Sequence, residues 1–179
     1  SVEKEGSISN SGRWAQWRYK AVNPPGKAKS DLDIIDLVFK ELRSLYKKEG
    51  GKFPDPILKS NWNYVPEGEH EASPHLVAKE INGYTWPDKD QMNTFMDLKD
   101  DGSTACGCWI YCGSYPGSSK NLMARRGTKD ASNKIGMFPE WSWCWPLNRR
   151  IIYNRAAVNR EGEPWDKSRW VIKWTGSKW

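Results

Sequence analysis

The chain has 179 residues, enough for one domain with a buried core. Hydrophobic residues make up only 37% of it and the mean hydropathy is −0.83, although aromatic residues reach 13%. The formal charge is +6, and no run approaches the ~18 consecutive apolar residues that a membrane-spanning helix needs. Residues 1–12 lack the apolar core of a signal peptide and read as the interior of a longer protein. This lean but aromatic-rich composition predicts a segment that rests on a surface belonging to something else.

The clearest predicted element is a helix over about 32–48. Asp31 is placed to cap its start, and Gly50 and Gly51 are placed to end it. Five aliphatic residues recur at helical spacing, and this spacing predicts that they form one buried face: Ile34, Ile35, Val38, Leu42 and Leu45.

Weaker patterns predict the remaining elements. Ser73 and Pro74 predict a short helix over 74–81, and Asp88 predicts a third helix over 89–98. That third helix is expected to bury Met92, Phe95 and Met96. Short strands are predicted at 109–112 and 170–174, a strand or helical turn at 151–153, and a helical turn or irregular loop at 14–19. Residues 52–72 and 117–140 should be mostly loops, so the fold class is mixed α/β with helices, a few short strands and long loops.

Four cysteines are the first candidates for chemistry. Cys106, Cys108 and Cys112 form a C-x-C-x3-C pattern, and Cys144 lies far downstream. Four thiols can ligate zinc or an iron–sulfur cluster, which makes a metal protein one hypothesis. If 106–112 is a strand, however, its three cysteines point to one face and do not wrap a tetrahedral ion. The alternative is small buried thiols, or one disulfide in an oxidising compartment.

Other reactive residue types form no catalytic pattern. His70 and His75 are five residues apart and do not match a helical metal pair, so His75 is expected to be a satisfied histidine at a helix start. The stretch 113–121 contains glycines, hydroxyls and Lys120, but it lacks both common phosphate-loop patterns.

Tryptophans and arginines are dense in 141–155. Such residues can stack on bases or sugars, so a stand-alone binding module for a glycan or single-stranded nucleic acid is an alternative function. The same residues can instead pack on one another through cation–π contacts and ion pairs.

Three segments carry a family resemblance. EKEGSISNSGRWAQWR at 3–18 is similar to a segment of the molybdopterin oxidoreductases, with these residues matched: Glu3, Glu5, Gly6, Asn10, Arg13 and Gln16. DDGSTACGCWIYCGSY at 100–115, with NLMARR at 121–126, resembles the formate dehydrogenase subgroup. WCWPLNRRIIYNRA at 143–156, followed by GEPWD at 162–166 and KWTGSKW at 173–179, is the most specific match. The whole chain therefore resembles a middle part of a formate dehydrogenase catalytic subunit.

The resemblance implies a parent enzyme that interconverts formate and CO2. Its cofactors would be molybdenum or tungsten held by two pyranopterin guanine dinucleotides, together with a [4Fe–4S] cluster. Several features of the family have no counterpart here: the cluster cysteines, the selenocysteine or cysteine at the metal, the adjacent histidine, the substrate arginine and the C-terminal domain. No catalytic residue is therefore carried onto this sequence, and the chain alone is expected to bind no cofactor and to oxidise no formate.

The resemblance also implies roles for particular residues and partners. Asn10, Arg13 and Gln16 are expected to lie nearest the cofactor, in a segment 1–179 that forms part of a pterin-binding α/β domain. The paired arginines are expected to be structural or interfacial: Arg125, Arg126, Arg149 and Arg150. Expected partners are the remainder of the catalytic subunit and an iron–sulfur electron-transfer subunit, without nucleic acid and without a membrane span. The resemblance implies a periplasmic location, and a cytoplasmic one stays open.

Overall fold

The computed structural model describes residues 2–10, 14–129, 140–145 and 175–177. These residues form helices, short strands and single 3₁₀ turns, which confirms the predicted mixed α/β class. The elements in chain order are β1 (Gly6–Asn10), β2 (Trp14–Arg18), α1 (Asp31–Glu49), α2 (Asp55–Lys59), α3 (Pro74–Asn82), β3 (Tyr84–Thr85), β4 (Thr104–Ala105) and β5 (Trp143–Cys144). The predictions for 151–153 and 170–174 lie outside the described residues.

The chain divides into two compact units. Unit 1 contains Ser1–Gly6 and Arg18–Ala78, and unit 2 contains Ser7–Trp17 and Lys79–Trp179. Unit 1 holds α1 and α2, and unit 2 holds both small sheets. The expectation that 1–179 is one segment of a larger pterin-binding domain stays a prediction.

The predicted first helix is confirmed as α1, but its cap was misassigned. Ser30 is the capping residue, because its hydroxyl accepts a hydrogen bond from the Asp33 amide at 3.2 Å. Asp31 is instead the first helical residue, and its carboxylate pairs with Lys4. Gly50 follows the last turn and donates its amide to Tyr46, so the predicted end is correct.

The prediction of which α1 face is buried was wrong. Five aliphatic residues, here called the aliphatic stripe, are all exposed: Ile34, Ile35, Val38, Leu42 and Leu45. The buried positions of α1 are Asp33 and Asp36, on the opposite side of the helix. The reason is that the neighbouring chain of unit 1 offers hydrogen-bond donors and an indole ring: the Trp62 ring nitrogen donates to Asp36 at 2.9 Å, and the Ala72 amide donates to Asp33 at 3.0 Å.

Polar and aromatic contacts complete unit 1. Phe39 stacks on Trp62 with 4.0 Å between ring centroids, and the Arg43 guanidinium lies 5.0 Å from the Phe39 ring. Arg43 also donates to the carbonyls of Ile57 and Ser60, which anchors the end of α2 to α1. The 52–72 stretch is mostly irregular, as predicted, and contains the short helix α2.

A three-stranded sheet in unit 2 replaces the predicted turn or loop at 14–19. Its strand order is β1-β2-β5, and β2 pairs antiparallel with β5, with Trp14 opposite Cys144 and Ala15 opposite Trp143. Trp17 and Trp143 are 0% and 2% exposed, so the burial of two indoles fixes β2 as a strand. Because β5 lies far along the chain, the spacing of tryptophans within 14–19 gave no sign of this pairing.

The predicted third helix at 89–98 was wrong. The Lys89 amide donates to the Thr85 carbonyl and the Asp90 amide donates to the Thr85 hydroxyl, so a turn occupies the expected helix start. Only one 3₁₀ turn, Phe95–Asp97, forms later, and Thr94 caps it. Met92 is buried as predicted and Phe95 is half-buried, but Met96 is 74% exposed.

The predicted strand at 109–112 was also wrong. Residues Trp109–Tyr111 form a 3₁₀ turn, in which the Tyr111 amide donates to the Cys108 carbonyl at 2.9 Å. The Cys108 amide in turn donates to the Ile81 carbonyl of α3. This anchoring overrides the strand preference of the aromatic and β-branched residues. The predicted helix after Ser73 is confirmed as α3. None of the described helices is long and apolar enough to cross a bilayer.

Candidate functional site

Asn82, at the end of α3, is the polar centre of unit 2. Its side chain is fully buried, and its amide nitrogen lies within hydrogen-bond distance of the Gly83 and Met92 carbonyls, at 3.1 and 3.0 Å. Its oxygen accepts from the amides of Gly113 and Tyr115, at 2.8 and 3.0 Å. One side chain therefore fixes three chain segments, and sequence reasoning missed it because a lone asparagine carries no pattern.

Glycine is required on both sides of this centre. Gly83 has φ +96°, and a Cβ there would lie 2.8 Å from the Ala105 carbonyl oxygen. Gly113 has φ +90°, and a Cβ there would lie 2.7 Å from the Asn93 carbonyl oxygen. Both positions combine a left-handed backbone with close packing, so the Asn82 centre tolerates no larger residue at either.

Unit 2 also contains an aromatic cavity of about 250 Å³. Its lining residues are Asn10, Trp14, Trp109, Ile110, Tyr111, Trp143 and Trp145. The Trp109 and Trp145 rings meet edge to face with centroids 5.5 Å apart, and Phe95 extends the cluster at 6.0 Å from Trp145. The dense aromatics around 109–111 and 143–145 were the sequence signal for this cavity, although the sequence did not show that they meet.

The three predicted cofactor residues have different outcomes. Asn10, at the end of β1, lines the aromatic cavity and is exposed. Gln16, in the middle of β2, is half-buried and does not line that cavity. Arg13 lies outside the described residues. The structure therefore brings one of the three to the cavity, and their role toward a cofactor stays a prediction.

The aromatic cavity can hold a flat or aliphatic group but has no charge to offer. All seven lining residues are uncharged, and the buried Trp143 ring nitrogen has no hydrogen-bond partner among the described residues. Phosphates are usually held by arginine, lysine or a helix N-terminus. The volume also lies below the roughly 300–1,000 Å³ of pockets for drug-sized ligands. By themselves the described residues do not fit a pyranopterin guanine dinucleotide.

Arg125 and Arg126 are structural, as expected. Arg125 donates to the Ser142 carbonyl at 2.9 Å and pairs with Glu140 at 2.5 Å. Arg126 donates to the carbonyls of Trp17 and Met123. Both guanidinium groups thus join β2 and the segment before β5 to the 3₁₀ turn at Leu122–Ala124. Arg149 and Arg150 lie outside the described residues.

The environments of Cys106 and Cys112 disfavour the reactive thiolate form. All four cysteines are free, and Cys112 is buried. Burial raises the pKa of the Cys106 thiol, and it raises the pKa of the Cys112 thiol to about 12. Because of this raised pKa, Cys112 is almost entirely protonated near neutral pH. The thiolate, which is the reactive form of a cysteine, is then scarcely populated. Within the described ranges, no three His, Cys, Asp or Glu side chains form a group that could hold a metal ion.

The remaining candidates have plain structural roles. The His75 ring nitrogen lies 3.1 Å from a Glu5 carboxylate oxygen, which confirms the expectation of a satisfied histidine. The 113–121 stretch borders a hollow of about 530 Å³ with one cation, Lys120, in its lining. One cation in a wide hollow does not make a phosphate site.

Comparisons with known proteins point to one group. No family model matches the chain. Over 190 residues, the chain is 45% identical to the formate dehydrogenase, nitrate-inducible, major subunit of Escherichia coli K12, covering 99% of the chain and 18% of that protein. The identity is 44% to the formate dehydrogenase 2 subunit alpha (cytochrome c-553) of Nitratidesulfovibrio vulgaris, with the same coverage. It is 41% to the formate dehydrogenase major subunit of Haemophilus influenzae, again with 99% and 18% covered.

The chain spans about a fifth of the length of the curated relatives it matches. The resemblance to the formate dehydrogenase catalytic subunits is confirmed across nearly all of the chain. These similarities give no support to the alternative of a stand-alone module for a glycan or single-stranded nucleic acid.

Proposed function

This chain belongs to the family of the formate dehydrogenase major, or alpha, subunits, and from that premise we propose that it is a central segment of a catalytic subunit that oxidises formate to CO2. The observation that carries the proposal is the identity of 41–45% over 99% of the chain with several such subunits. The reaction releases a proton and an electron pair, and the whole subunit would perform it.

Within that subunit, we assign the segment a supporting role. The fully buried side-chain amide of Asn82 has backbone hydrogen-bond partners on both its nitrogen and its oxygen. Arg125 and Arg126 are likewise occupied by backbone carbonyls, and the Cys112 thiol is protonated. These groups therefore stabilise the segment and do not take part in proton or electron transfer.

The parent cofactor is proposed as the resemblance implies: molybdenum or tungsten held by two pyranopterin guanine dinucleotides, with a [4Fe–4S] cluster. That cofactor would supply the two-electron chemistry of formate oxidation, and the residues of this segment would support its position without taking part in the reaction. We propose Asn10, Arg13 and Gln16 as the residues of this segment nearest that cofactor. The support for this placement is the resemblance of residues 3–18 to a segment of the molybdopterin oxidoreductases.

The proposed partners are the remainder of the catalytic subunit and an iron–sulfur electron-transfer subunit. The names of the relatives, which speak of a major subunit or a subunit alpha, describe enzymes with more than one kind of subunit. We propose the periplasm as the compartment. Recovery of the parent enzyme in the fluid released by osmotic shock tests that location, and retention inside the cells contradicts it.

The test of the function compares two proteins in one assay. The full-length parent subunit and this 179-residue chain are purified and given formate with an artificial electron acceptor. The full-length subunit is expected to reduce the acceptor, and the chain alone is expected not to. Turnover by the pure chain contradicts the supporting role, and a metal- and cluster-loaded parent that does not oxidise formate contradicts the proposed activity.

The cofactor placement has its own test in the full-length subunit. Asn10→Ala is expected to lower the pterin content of the purified protein, measured by fluorescence after oxidative release. Ser7→Ala is the matched control, because Ser7 is also exposed on β1 but does not line the aromatic cavity. Equal pterin content in the two variants would remove Asn10 from the proposed site.

A further inference from the structure

Helix α1 has two faces of opposite character. The face toward its own unit contains Asp33, Asp36, Phe39 and Arg43, which contact the chain between Ile57 and Ala72. The opposite face is the aliphatic stripe, whose members recur at spacings of three, four and seven residues and so lie within about 100° of arc. Two polar residues, Asp31 and Glu49, bound the stripe along the helix. α1 therefore uses its polar and aromatic side inside unit 1 and presents its aliphatic side outward.

The exposure of the stripe is large for such residues. Ile35 and Val38 are 55% and 63% exposed, and Ile34, Leu42 and Leu45 are between 37% and 48% exposed. Single exposed aliphatic residues are ordinary on a protein surface, but a contiguous stripe along one helix marks a contact surface. The regular helical spacing of the stripe is also typical of amphipathic helices that bind an apolar partner.

We propose that the aliphatic stripe of α1 is the surface on which another, apolar part of the same catalytic subunit docks. This inference rests on the proposed function, because it takes the chain as a segment of a longer subunit. Relatives match this chain over only 18% of their length, so about four fifths of such a subunit lies outside these residues. A remainder of that size can supply the apolar surface that covers the stripe.

The small area of the stripe and the covalent link to the rest of the subunit both favour a segment of the same polypeptide, rather than a second copy, as the partner that covers the stripe. A stable interface between separate proteins buries ~800 Å² on each partner, roughly twice what five half-exposed aliphatic side chains offer. Association of separate molecules also costs translational and rotational freedom. A segment of the same chain is held at high effective concentration, so a small apolar patch suffices to keep it in place.

The test measures shielding in the full-length parent subunit. Val38→Cys and Ser44→Cys are prepared separately, and the rate at which a water-soluble maleimide labels each introduced thiol is followed by mass spectrometry of its peptide. Ser44 is the matched control, because it is exposed on α1 but lies outside the stripe. The Val38→Cys thiol is expected to react at least about tenfold more slowly, since the reagent reaches a covered thiol only through local opening.

Each other outcome overturns the proposal in a recognisable way. Equal rates at the two positions mean that the stripe faces solvent. Slow labelling that appears only after the electron-transfer subunit is added means that this subunit covers the stripe. Slow labelling that disappears on dilution means that a second copy covers it.

The outcome also separates this inference from the proposed function. Formate oxidation by the unsubstituted parent is measured in parallel. Active enzyme with equal labelling rates rejects the docking surface alone. Slow labelling in a fully loaded but inactive parent rejects the proposed activity and leaves the docking surface in place.

Discussion

The two units place their apolar residues in opposite ways. Among the described residues, unit 2 buries two tryptophans, Trp17 and Trp143, and the hydrogen-bonded amide of Asn82. Unit 1 buries carboxylates, Asp33 and Asp36, beneath its longest helix and leaves the aliphatic stripe outside. The comparison teaches that helical spacing identifies a face, while the neighbouring chain decides which face is covered.

The largest effect is expected from Asn82→Leu in unit 2. The change leaves the buried amides of Gly113 and Tyr115 without their acceptor, at about 1–3 kcal/mol for each. The free energy of unfolding, measured by urea titration, should fall by roughly 2–6 kcal/mol. Asn63→Leu at an exposed position is the control and should change it by no more than about 0.5 kcal/mol. Equal losses in the two variants would mean that Asn82 is not the polar centre of unit 2.

The next effect tests the buried carboxylates of unit 1. Asp36→Ala removes the acceptor of the Trp62 ring nitrogen and should lower the free energy of unfolding by about 1–3 kcal/mol. Asp36→Asn keeps that acceptor and weakens only the link to the half-exposed Lys40, so its cost should stay below about 1 kcal/mol. The same urea titration measures the free energy of unfolding of both variants. If Asp36→Asn is as unstable as Asp36→Ala, the ion pair with Lys40 contributes more to stability than the hydrogen bond from Trp62.

A smaller effect should appear at alkaline pH. The folded state holds the Cys112 proton up to about pH 12, whereas an unfolded thiol releases it near 8.5. Between these values the unfolded state binds fewer protons, so stability falls as pH rises, by at most about 1.4 kcal/mol per unit. Unfolding titrations at pH 8 and pH 10 should therefore diverge more for the natural chain than for Cys112→Ala. Equal pH dependence in both proteins would show that this thiol contributes nothing.

The smallest effect is expected on the aliphatic stripe. In this 179-residue chain, Val38→Asn should change the free energy of unfolding by no more than about 0.5 kcal/mol, because Val38 is largely exposed. Leu122→Ala, at a buried position of unit 2, is the contrast and should cost about 2–5 kcal/mol. A large loss of unfolding free energy in Val38→Asn would mean that the stripe is covered within this chain. The two units would then not differ in where they place their apolar residues.

The elements that were predicted correctly are those determined by contacts between residues close together in the sequence. Helices α1 and α3 were found because residues typical of helix starts and ends lie within a few positions of each helix end, although the cap of α1 is Ser30 and not Asp31. The helix expected at 89–98 failed because Thr85 captures the amides of Lys89 and Asp90. The strand expected at 109–112 failed because Ile81 holds the Cys108 amide. In both places a contact from an earlier segment outweighed a local preference.

The candidate site was less predictable still. Asn10 entered through a family resemblance, and the structure places it at the aromatic cavity. The aromatic residues of that cavity come from β2, the turn at 109–111 and β5, so their meeting depends on strand pairing between distant segments. Two hydrogen-bond partners of Asn82 lie more than thirty positions away, and no sequence pattern around Asn82 predicts them.

The pairing of β2 with β5 has a consequence for the order of synthesis. On the β5 side of β2, Trp14 lies opposite Cys144, so the ribosome must make the whole intervening chain before that edge of β2 is paired. Until then β2 presents an unpaired strand edge of the kind that invites association with other nascent chains. During synthesis, that edge of β2 is therefore accessible to other chains until β5 has left the exit tunnel.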